Sequence, residues 1–73
     1  MSNLKNERIR AGISQSELSK RSGVNLRMLQ YYEQKIKNID GAKIETLAAI
    51  SRTLGCGISD ILENKEIVKN TRI

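Results

Sequence analysis

Residues 15–29 read Gln15-Ser16-Glu17-Leu18-Ser19-Lys20-Arg21-Ser22-Gly23-Val24-Asn25-Leu26-Arg27-Met28-Leu29, and two helix starts are written into and around that stretch. Ser14, just ahead of it, forms the S-x-x-E capping pattern with Glu17, and Ile13 and Leu18 stand at the apolar staple positions on either side. The pattern predicts a helix from about Gln15 to Arg21. Ser22-Gly23-Val24 breaks it. Asn25 then caps a second helix from about Leu26 to Gln34, with Val24 and Leu29 as its staple pair.

Working outward, the rest of the chain also reads as helix. Pro is absent, the aromatics are two tyrosines, and short segments are separated by Gly or polar breaks. About Asn3 to Ala11 forms a first helix with Leu4, Arg8 and Ile9 spaced for one face, closed by Gly12. After a loop from Lys35, Asp40 is the expected cap of a fourth helix, with Ile39 and Ile44 as a third staple. Ile44, Leu47, Ile50 and Leu54 make its apolar stripe. Gly55-Cys56-Gly57 ends it, and Ile58, Ile61 and Leu62 make a short fifth helix. The fold class is therefore all-α, a compact five-helix domain over 1–63, with 64–73 as a short polar tail that frays. Cys56 reads as a small buried core residue.

Composition removes whole classes of function. A chain of 73 residues buries only about 60% of its unfolded surface, too little for a large enzyme cleft. There is no His, and one Cys forms neither a disulfide nor a cysteine-cluster metal site. No metal and no cofactor is expected, and no nucleophile–base pair supports an enzyme. No apolar run reaches membrane-spanning length, no helix has the form of a membrane-surface anchor, and the N-terminus lacks a signal-peptide pattern, which points to the cytoplasm.

Charge is distributed unevenly. The net charge is +5, with residues 1–13 at +2, 14–43 at +3, 44–63 at −2 and 64–73 at +2. A one-sided positive field favours a polyanion, nucleic acid before membrane; a solvated basic surface is the plain alternative. Two short helices across a glycine-containing turn form the unit whose second helix enters the DNA major groove. The second helix carries the side chains for that. Arg27 can fork onto a guanine edge, Gln30 can pair with adenine, and Leu26 and Tyr31 can touch thymine methyls or sugars. Adjacent Tyr31 and Tyr32 cannot both face inward; Tyr32 is expected in the core and Tyr31 at the outer face, with the swap left open. Met28 reads as partly buried filler.

The quoted stretch resembles the helix-turn-helix of the Cro/CI-type (XRE) DNA-binding family. Leu4 with Arg8 before it, Glu33 after it, and Thr46-Leu47 with Leu54-Gly55-Cys56 later extend the resemblance over about residues 4–62. It implies a lambda-repressor-like fold with the motif at about 15–34. It also implies that Leu26, Arg27 and Tyr31 stand where base readers do. Gln15 resembles a residue that contacts a phosphate and braces the reading head, while Asn25, Lys35, Lys37 and, at the end of the same loop, Lys43 fall among backbone contacts. Arg8 and Glu33 match a pair that ties helix 1 to the end of the recognition helix. Three departures stand out. Ser19 replaces the usual Ala. Lys35 replaces the usual Gly, where a left-handed cap costs about 1 kcal/mol, so the helix is expected to end differently or to run on. The loop after it is a few residues longer than in phage repressors.

The functional expectation is a small sequence-specific regulator of transcription, a repressor, that binds double-stranded DNA as a homodimer. Helix 5 and the tail, through Ile58, Ile61, Leu62, Ile67 and Val68, would supply the dimer contact. The alternative is a protein-interaction module on the same fold, an antitoxin or a bridging factor with a protein partner. The ten residues from Asn64 to Ile73 are short for wrapping such a partner.

Overall fold

The computed structural model describes residues 2–64, and within them the chain is all-helical. Its elements are α1 (Asn3–Ala11), α2 (Gln15–Ser22), α3 (Leu26–Glu33), a single 3-10 turn (Ile39–Gly41), α4 (Ile44–Leu54) and α5 (Ile58–Ile61). α2 packs on α3 and α4, α1 packs on α3 and α5, and α5 closes against α4.

The local chemistry explains most of these boundaries. Ser2 Oγ accepts from the Lys5 amide, and Ser14 Oγ accepts from the Glu17 amide, both at 3.0 Å. Asn25 Oδ1 takes the amides of Arg27 (2.8 Å) and Met28 (3.3 Å). Each cap satisfies a donor that the first helical turn leaves open. The Ser14 box is half formed, because the Glu17 carboxylate accepts from Arg21 one turn on (2.7 Å) instead of returning to the cap amide. Gly23 sits at φ 77° after α2, a conformation that glycine adopts without a side-chain clash. That residue lets α3 turn back across α2.

Leu4, Leu18, Leu29, Tyr32, Ile39, Leu47, Ile50, Ile61 and Leu62 form the core, with Ile13, Val24, Met28, Leu54 and Ile58 packed around it. Tyr32 is the inward tyrosine and Tyr31 is half-buried. Cys56 is half-buried at the core's edge rather than inside it, and burial still pushes its thiol above the ordinary value.

Four expectations about packing need correction. Ile9 is 52% exposed. At about 100° per residue it stands about 140° round the helix from Leu4, so the two do not share a face. Ile44 is 63% exposed, and burial along α4 begins only at Leu47. Asp40 does not cap α4. It lies in the 3-10 turn, and α4 starts from Lys43 with no side-chain cap. Finally, Ile61 and Leu62 are buried within the domain, so α5 uses its apolar side on its own core and those two residues offer no dimer surface. Ile67 and Val68 lie outside the described residues.

Candidate nucleic-acid interface

α3 is held from behind by charge. Glu33, at the end of α3, has a side chain only 2% exposed. Arg8 of α1 grips it with two donors, Nε to Oε2 at 2.7 Å and Nη2 to Oε1 at 3.0 Å. The third arm of the same guanidinium, Nη1, donates to the Ile13 carbonyl at 2.9 Å. One side chain thus ties α1, the α1–α2 turn and α3 together. The hydrogen bond to Glu33 pushes the Arg8 guanidinium above its ordinary value.

Gln15 joins this pair. Its Nε2 donates to Glu33 Oε1 at 3.0 Å. An amide nitrogen carries two hydrogens, so one donor remains for an outside acceptor. The residue at the start of α2 is therefore aimed by the residue at the end of α3. Ser19, one of the departures from the family pattern, also has a role that sequence reasoning missed. Its Oγ donates to the Val24 carbonyl at 2.6 Å and pins the turn between the two helices.

On the outer side of α3, Arg27 is exposed, while Leu26, Gln30 and Tyr31 are half-buried. Residues three and four apart share a helix face, so 27, 30 and 31 stand together and Leu26 stands one turn before Gln30. Arg10 pairs with Glu7 and Arg21 with Glu17, as Arg8 does with Glu33. Among the described residues Arg27 has no ion-pair partner, so the helix presents an unneutralised guanidinium at its outer face.

The residues expected at the DNA backbone fall into two groups. Asn25 and Lys43 line one open groove of about 450 Å3 between the α2–α3 turn and the start of α4. Lys35 and Lys37 line another of about 250 Å3 beyond the end of α3, floored by Tyr32 and Ile39. Gln15 stands apart from both, on the Glu33 network. Lys35 corrects the expectation of a different helix end: it takes the left-handed conformation itself, at φ 61°. Its amide reaches the Tyr32 carbonyl, and those of Ile36 (2.8 Å) and Lys37 (3.3 Å) converge on the Tyr31 carbonyl. The Tyr31 and Tyr32 carbonyls of the last turn are thereby satisfied, which offsets the local strain. The role of Asn38 also escaped sequence reasoning. Asn38 Oδ1 accepts from the Asp40 amide at 3.0 Å, an Asx turn whose signal is the polar spacing of Asn38-Ile39-Asp40-Gly41.

A braced pair of short helices, with Arg27 exposed on the outer face and without an ion-pair partner among the described residues, defines a helix-turn-helix DNA-binding domain. The helix-turn-helix family model matches residues 4–61, the greater part of the chain. The chain belongs to the Cro/CI-type (XRE) helix-turn-helix family, whose members are DNA-binding regulators of transcription, and it binds double-stranded DNA. No curated protein and no solved structure gives a significant match. Among the described residues no helix is long and apolar enough to cross a membrane.

Proposed function

We propose that this protein is a sequence-specific cytoplasmic repressor that reads duplex DNA with α3 in the major groove. The observation that carries the reading is Arg27, the exposed and unpaired cation at the centre of an α3 face shared with Leu26, Gln30 and Tyr31. Arg27 forks onto a guanine edge, Gln30 reads an adenine, and Leu26 and Tyr31 supply apolar contact. Gln15, Asn25, Lys35, Lys37 and Lys43 hold phosphates and set the register, without sequence information of their own.

One such helix reads only a few base pairs. Two copies of the chain therefore bind half-sites about one helical turn apart. Repression follows from occupancy, because a domain seated in the major groove keeps other proteins off the same site. The test is selection of binding sites from a random duplex library, then anisotropy on the winning site at two salt concentrations. A palindrome bound far more tightly than random duplex, with a steep salt slope, is expected. Weak, salt-sensitive binding with no enriched motif would leave a generic basic face and move attention to a protein partner.

A further inference from the structure

The loop from Gln34 to Asn38 carries two of the proposed phosphate-binding lysines, yet all five residues are exposed and it has almost no packing of its own. Lys35 and Lys37 line the open groove beneath it. Its first buried anchor is Ile39. Immediately after Ile39 comes a polar clasp. The two carboxylate oxygens of Asp40 accept separate backbone amides from the far end of the described chain, Glu63 N to Oδ1 at 2.8 Å and Asn64 N to Oδ2 at 2.9 Å. Asn38 holds the Asp40 amide from the other side. Glu63 Oε2 also faces Lys35 Nζ at 3.9 Å.

The end of the described chain does not need this clasp. Leu62 is buried in the core, and Asn3 binds the Leu62 carbonyl through Nδ2 (2.8 Å) and the Glu63 carboxylate through its amide (3.0 Å). Residues 62 and 63 are thus already fixed against α1, and the clasp can use them as a rigid post. The segment in need of a post is the loop.

We propose that Asp40 is a positioning residue for DNA binding: by clasping the backbone of Glu63, which Asn3 already fixes, and of Asn64 next to it, it holds Lys35 and Lys37 at a set distance from the recognition helix. The inference rests on the DNA-reading role of α3. Freed of the clasp, the two lysines lose their preorganised placement, and the entropy of ordering them falls on the complex.

The experiment is a cycle on the full chain with the selected duplex, combining Asp40→Ala with the double variant Lys35→Gln/Lys37→Gln. Binding is read by anisotropy across a salt series, at a temperature where circular dichroism shows each protein folded. Each arm alone should weaken binding on the order of tenfold, on specific and random duplex alike, and lower the salt slope by up to about two. Combined, they should lose no more than either alone. Asp40→Asn retains a carbonyl acceptor and should lose less; it takes the place of Asp40→Ala if that variant does not fold. A lower melting temperature with affinity and slope unchanged would make Asp40 a purely structural residue and overturn the proposal. So would losses that multiply in the combined variant, or an inert lysine variant. A wild-type chain that binds no duplex would overturn the reading of α3 as well. Normal wild-type binding with a failed cycle overturns the clasp alone.

Discussion

The anchored back of α3 and the loop that follows it are built by opposite means. Behind α3, the Glu33 carboxylate is buried, accepts three donors from Arg8 and Gln15, and sits among capped helices. Past the end of α3, the loop to α4 is exposed, contains a lysine at φ 61°, and leads into a helix with no side-chain cap. The first region fixes an angle. The second supplies reach, with cations on a segment that holds its shape through backbone turns and the Asp40 clasp. A domain this small cannot bury both, and the difference shows where rigidity is placed: in the brace behind α3.

Substitutions in each region can break that contrast. Glu33→Ala removes one partner of a buried ion pair and leaves Arg8 and Gln15 facing an apolar gap. A loss of about 3–5 kcal/mol in urea unfolding is expected. A loss under about 1 kcal/mol, the scale of an exposed pair, would mean the brace is ornamental. In the loop Lys35→Gly relieves the left-handed strain, and stability should rise by about 1 kcal/mol in the same assay. The same variant should bind DNA with a salt slope lower by about 0.9, one phosphate contact. A fall in stability would show that the lysine cap carries no strain. Ile44→Ser touches an exposed side chain at the start of α4 and should change stability by less than about 0.5 kcal/mol. A larger effect would place that isoleucine in an interface.

Legibility followed the same division. Ser14 and Asn25 as caps, Leu18 and Leu29 as staple residues, and Leu47 and Ile50 on the apolar stripe could be read directly, because caps and helical spacing are local signals. Helix 3 ends within a residue of where the sequence put it. Arg8 and Glu33 could be paired only through the family resemblance, since nothing local joins residues so far apart. The Gln15 bond to Glu33 and the Ser19 bond to Val24 needed the tertiary fold. Asp40 was misread for the same reason. Its spacing to α4 fits a cap, but the amides it takes belong to residues 63 and 64. Ile44 and Ile61 failed in opposite senses: one was assigned to the core and the other to a partner, and periodicity alone cannot say which apolar residue meets a neighbour.

The central claim is that α3 reads base edges, and Arg27→Ala tests it most directly. Wild type and variant are titrated onto the selected duplex and onto random duplex of equal length, at one salt concentration. If Arg27 reads a base, the variant loses about 1–3 kcal/mol on the selected site and far less on random DNA. An equal loss on both would make Arg27 a phosphate contact, and no loss on either would remove α3 from the interface.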